Sequence, residues 1–135
     1  RAALESAKRV LRAGNGLVWF PEGWRSPDGG LQRFLPGIGQ LLVHSGAPAV
    51  PAYIMGTFAA WPRERRLPRC HRITVTFGHP ETAASLAANG SGRTDEERAA
   101  DALRQRLIAL GSEGSGTAGS TISAHAADRV GGTHH

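Results

Sequence analysis

Between Pro21 and Ser26 the chain places a carboxylate (Glu22), a guanidinium (Arg25) and a hydroxyl (Ser26) within five residues, on either side of Gly23. Arg25 offers a planar fork of N–H donors that matches a phosphate or carboxylate. Gly23 removes the side chain where a ligand or another backbone has to come close. The turn therefore has the make-up of an anion site. Glu22 has two readings: it pairs with Arg25 and stiffens the turn, or it fixes the turn or the bound molecule. Trp24 either lines a pocket or packs over the loop. Arg33, a little further on, either supplements Arg25 or stays solvated. Gly37 and Gly39 suit close helix packing or the approach of an anion.

Other reactive side chains are less persuasive. Cys70 and His71 are adjacent, so on a strand they would face opposite ways, and no acid orients the imidazole; a plain thiol is expected. His44 sits in an apolar stretch and reads as a satisfied core histidine. Arg63, Arg65, Arg66, Arg69 and Arg72 form a cationic cluster after Trp61, suited to an anionic membrane surface or to solvent. No metal-ligand set is evident.

Several elements must hold the turn in place. Ala2 to Ala13 reads as a helix, with Leu4, Ala7 and Leu11 on one face and Gly14 just past its end. Leu17 to Phe20 follows the breaker Gly14-Asn15-Gly16 as a short buried strand. Arg25 to Gln32 is a polar loop around Pro27-Asp28-Gly29-Gly30. Pro36 to His44 is expected to be helical. Ala49 to Ile54 is apolar on both faces, as a parallel strand between helix layers would be. Ile73 to Phe77 alternates like a half-exposed strand near an edge. A short helix is expected at Glu81 to Ala88. The last helix has a capping-box pattern in Thr94 and Glu97, shares Leu103, Leu107 and Leu110 on one face, and is expected to end at Gly111.

With 135 residues and 40% hydrophobic content, the chain is one domain with a modest core. Its net charge of +5, nearly all from arginine, favours anionic partners. One cysteine excludes an internal disulfide and is consistent with a reducing compartment. Phe34 to Pro62 carries no charged residue. Pro48, Pro51 and Ser45-Gly46 argue against a membrane-spanning helix there and for a short helix followed by a strand. No signal peptide is visible. Residues 112–135 are mostly Gly, Ser, Thr, Ala and His with almost no large apolar side chain, and are expected to be a disordered tail.

Phe20-Pro21-Glu22-Gly23-Trp24-Arg25-Ser26 resembles the F-P-E-G-T-R-S signature of the lysophospholipid and glycerol-phosphate acyltransferases, with Trp24 where Thr is usual. Phe34-Leu35-Pro36-Gly37-Ile38-Gly39 resembles that family's F-x-x-G element. Ala49 to Ile54 resembles its V-P-V-x-I strand, and Thr76-Phe77-Gly78-His79-Pro80 its later F-G-x-P. The resemblance implies an α/β fold, a partial glycerolipid-acyltransferase-like αβ sandwich with a mixed, mostly parallel sheet. Residues 1–111 would be the C-terminal portion of such a domain, truncated at the N-terminus. It further implies that Arg25, with Ser26 and N–H groups near Gly23, holds an acceptor phosphate. Glu22, Gly23, Trp24, Arg25, Ser26 and Arg33 would form the substrate-binding set. No cofactor or metal is implied, only an acyl-CoA or acyl-carrier-protein co-substrate.

One element of the family pattern is missing. The residue five positions after each internal histidine is Ala49, Thr76, Ala84 or Val130, so no H-x-x-x-x-D motif is present. The catalytic His and Asp are therefore expected upstream of Arg1, and the 135 residues alone are expected to be inactive. The implied enzyme moves an acyl group to a lysophospholipid or glycerol phosphate in phospholipid biosynthesis, at the cytoplasmic face of a membrane. Two competitors stand beside it: a domain of a larger fused acyl-activating protein, and a basic nucleic-acid-binding module. The second lacks interleaved aromatics and any zinc or helix signature, so no nucleic-acid partner is expected.

Overall fold

The computed structural model describes residues 2–24, 26–113 and 121–124. Its elements run α1 (Ala2–Arg12), α2 (Gly37–Ser45), β1 (Ala52–Met55), α3 (Thr57–Ala60), β2 (Ile73–Phe77), α4 (Ala83–Asn89), α5 (Asp95–Glu113) and β3 (Thr121–Ala124).

The helices form where apolar spacing and caps coincide. Residues Leu4, Ala7 and Leu11 turn inward on α1, and Ala7 is buried. Gly14, in a left-handed conformation, ends that helix by donating its N–H to the Leu11 carbonyl at 3.0 Å. Helix α5 starts on reciprocal bonds: the Thr94 hydroxyl accepts the Glu97 N–H at 3.2 Å, and the Glu97 carboxylate accepts the Arg93 N–H at 2.7 Å. Asp95 and Glu96 add negative charge where the helix dipole is positive.

Ile38 and Leu42 of α2, Leu86 of α4, and Ala99, Ala102 and Leu103 of α5 make the buried core. Trp19, Phe34 and Val43 pack around it. Small residues let the helices come close. A Cβ on Gly39 would collide with the Glu96 carbonyl oxygen, and one on Gly90 with that of Arg98.

The strands form a sheet ordered β1-β2-β3. β1 pairs antiparallel with β2 (Ala52 opposite Phe77, Ile54 opposite Val75), and β2 pairs antiparallel with β3. The expected mixed, mostly parallel sheet is thus corrected, and the reason lies in the connection. Parallel neighbours need a crossover of a dozen or more residues, usually a helix long enough to return along the sheet. Here the link holds only the four-residue α3 and a loop that closes on itself. It delivers the chain to the sheet end it left, so β2 runs back. β2 is central rather than near an edge.

Two further expectations change. Leu17–Phe20 pairs with no strand among the described residues, and Val18 (81%) and Phe20 (69%) are exposed. An apolar run becomes a buried strand only when a neighbour takes up its N–H and C=O groups, and none of the described strands lies beside it. Helix α5 continues through Gly111 to Glu113. Gly111 is there because the Tyr53 ring lies against it, 2.8 Å from where a Cβ would sit. The tail expected to be disordered is corrected at Thr121–Ala124, which forms β3 because it pairs with β2; residues 114–120 and 125–135 lie outside the described residues.

No helix among the described residues is long and apolar enough to cross a membrane.

Candidate functional site

Beyond Trp19, which packs against the core, the chain turns at Pro21. Gly23 takes φ +71°, and its N–H reaches the Phe20 carbonyl at 3.2 Å. The Leu35 N–H bonds to the Pro21 carbonyl at 2.8 Å, so the chain leaves and re-enters at one place. Leu35 also fills the space over Gly23, its Cδ1 lying 2.5 Å from a hypothetical Cβ. Any side chain at position 23 would meet both the left-handed backbone and Leu35.

The loop between these points is held by its own side chains. The Glu22 carboxylate accepts the Gln32 N–H at 2.6 Å. The Asp28 carboxylate accepts the Gly30 N–H at 2.9 Å and the Gln32 side-chain amide at 3.1 Å. The Ser26 hydroxyl lies 3.0 Å from Asp28 Oδ1 and 2.8 Å from the Gly30 carbonyl. The Gly30 N–H, with help from Ser26, holds the Asp28 carboxyl below its ordinary value.

The candidate residues therefore divide. Glu22 fixes the turn through Gln32. Gly23 and Ser26 are in the turn, with the Ser26 hydroxyl engaged inside the loop. Trp24 is 76% exposed and does not pack over the loop. Arg33 is exposed just beyond Gln32. Arg25 lies outside the described residues. Gly37 faces open space, while Gly39 serves helix packing. His44 is not a core histidine: it is exposed at the end of α2, with Nε2 3.3 Å from the Glu96 carboxylate.

Sequence reasoning missed Asp28 and Gln32 as the loop's fasteners. Their signal was the Asp-Gly-Gly turn, in which an Asp side chain commonly bonds the backbone two residues on. A shallow cleft of about 340 Å³ opens beside the loop, lined by Leu31, Tyr53, Arg104, Ile108, Gly111 and Ser112. No group of three or more His, Cys, Asp or Glu that could hold a metal ion occurs among the described residues.

Comparison with known proteins bears on this turn. Residues 1–55 match the family model described as Acyltransferase, and they include α1, the turn, the loop and α2. The chain is 37% identical over 83 residues to a 1-acyl-sn-glycerol-3-phosphate acyltransferase of Cocos nucifera, covering 58% of this chain and 27% of that protein. Identity is also 37% over 83 residues with the protein of the same name from Limnanthes alba, covering 58% and 30%. With the chloroplastic BAT2 of Brassica napus it is 37% over 54 residues, covering 40% and 16%. The chain thus spans less than a third of the length of these relatives. No solved structure matches it. The loop closed by Glu22 thus lies within a stretch that is similar to the acyltransferase family model and to these relatives.

Proposed function

We propose that this chain supplies the acceptor-binding part of an O-acyltransferase acting on 1-acylglycerol 3-phosphate or a related lysophospholipid, as the names of its relatives suggest. One observation carries the reading: the turn holding Gly23 and leading to Arg25 opens a loop fastened by the Glu22–Gln32 bond, within the stretch that matches the family model. A fastened loop presents its outward donors at low entropic cost, which is what recognition of a phosphate dianion requires. Arg25 supplies the charge-assisted contact, Gly23 gives the turn its left-handed corner, and Arg33 adds positive charge at the exit. Glu22 and Ser26 act through loop geometry. Trp24 stands exposed beside the acceptor and covers its glycerol or acyl portion.

In the reaction, the acceptor hydroxyl loses its proton to a histidine held by an aspartate. The oxygen attacks the carbonyl of an acyl thioester, from coenzyme A or an acyl carrier protein, and the C–S bond breaks. The proton passes to the departing thiolate. The 135 residues lack the H-x-x-x-x-D pair, so that step belongs to residues outside them. The setting is phospholipid biosynthesis at the cytoplasmic face of a membrane, without a cofactor.

The test is kinetic. In the full-length protein, Arg25→Ala should raise KM for the acceptor roughly tenfold to a hundredfold, with a smaller effect on the thioester. An unchanged acceptor KM, or turnover by the isolated 135 residues, overturns the reading.

A further inference from the structure

The link between β1 and β2 is folded back and fastened at its neck. Gly56, at φ +91°, lies against the Arg72 carbonyl so closely that no Cβ fits there. Arg69 donates its N–H to the Ala60 carbonyl at 2.6 Å, and Arg65 to that of Pro62 at 3.1 Å. The Trp61 indole N–H bonds to the Arg65 carbonyl at 2.9 Å, and Ala60 is buried as the anchor. This is a compact surface loop packed by its own groups.

What it shows to solvent is unusual. Leu67 is 76% exposed, Trp61 45% and Phe58 38%. Arg63, Arg65, Arg66, Arg69 and Arg72 are all exposed, against a single acid, Glu64. Among the described residues no ion pair engages Arg63, Arg65, Arg66 or Arg69. An aliphatic tip, an amphipathic indole and a ring of cations together match a bilayer interface. Apolar side chains enter the acyl boundary, tryptophan sits at headgroup depth, and arginines meet lipid phosphates. RNA fits less well, because an exposed leucine offers no stacking face.

We infer that the Thr57–Arg72 loop docks the protein on an anionic lipid bilayer. It stands on surface chemistry of its own and takes only its biological sense from the proposed lipid acceptor. Phe58 also lies against Gly29, 3.2 Å from where a Cβ would sit, so the docked loop holds the Glu22–Gln32 loop close to the same surface.

The chain's one cysteine, Cys70, is exposed in this loop and accepts an environment-sensitive dye. Labelled protein is mixed with vesicles of phosphatidylcholine alone or with phosphatidylglycerol, with no acyl donor present, so the result is independent of catalysis. The expected result is a blue shift and co-flotation with the anionic vesicles only, weakened by salt. Arg65→Glu with Arg66→Glu should weaken partitioning by at least about twentyfold. Leu67→Asp, which leaves the arginines in place, should weaken it by roughly tenfold. Circular dichroism confirms that each exposed-loop variant is folded. Three results overturn the inference: no flotation, flotation with a silent dye and unaffected variants, or RNA retention on filters without vesicle binding.

Discussion

The Glu22 carboxylate accepts the backbone N–H of Gln32, ten residues later, at 2.6 Å, and so shuts the loop that follows the Pro21 turn. A carboxylate in a family signature invites a role in chemistry. Among the described residues its partner is the protein's own backbone, and that bond holds the shape of the loop.

Replacing Glu22 with Ala should therefore loosen the loop without unfolding the helices. The Gln32 N–H would lose a charged acceptor in a half-buried position, a loss of about 1–3 kcal/mol confined to the loop. Hydrogen exchange at the Gln32 amide should accelerate, with amides in α5 unchanged. Equal acceleration throughout would mean that the bond supports the whole fold.

Gly39 and Gly37 give a paired test on one helix. Gly39→Ala forces a methyl group onto the Glu96 carbonyl and should destabilise by about 1–3 kcal/mol. Gly37→Ala enters open space and should be neutral or stabilising by up to about 1 kcal/mol. Denaturant melts of the two variants should move in opposite directions or differ clearly in size.

Leu86 is fully buried among α2, α4 and α5. Leu86→Ala should lower stability by about 2–5 kcal/mol, read from the denaturant midpoint. A chain with so modest a core is expected to lose much of its folded population.

Acid should open the candidate loop. The folded Asp28 carboxyl titrates below its ordinary value of 3.8, chiefly because the Gly30 N–H favours its charged form. Its stabilising contribution is present above that ordinary value and disappears as pH falls through the lowered folded one. Exchange at the Gly30 amide, corrected for intrinsic rates, should accelerate there. Asp28→Asn should remove that step.

Local chemistry was legible in the sequence where it was self-contained. Thr94 and Glu97 announced the start of α5, and alternation over Ile73–Phe77 matched β2. The Asp-Gly-Gly turn marked the loop, although its fasteners escaped notice. What the sequence did not reveal was non-local. Strand direction depended on how the β1–β2 link folded back, and Leu17–Phe20 needed a neighbour to become a strand. Gly111 resembled a helix terminator because composition alone does not show the Tyr53 ring resting on it. Of the candidate site, the turn was legible but the bond from the Gln32 N–H to Glu22 was not, and the pairing of Glu22 with Arg25 that the spacing suggested falls on a residue outside the described ones.

The stretch Leu17 to Phe20, with Val18 and Phe20 exposed on either side of the inward-packed Trp19, has a practical outcome. Four apolar residues without a charge among them, with no ladder partner among the described residues, are a template for another molecule's backbone. Concentrated solutions should turn cloudy with time, and a lysine at Val18 should keep them clear.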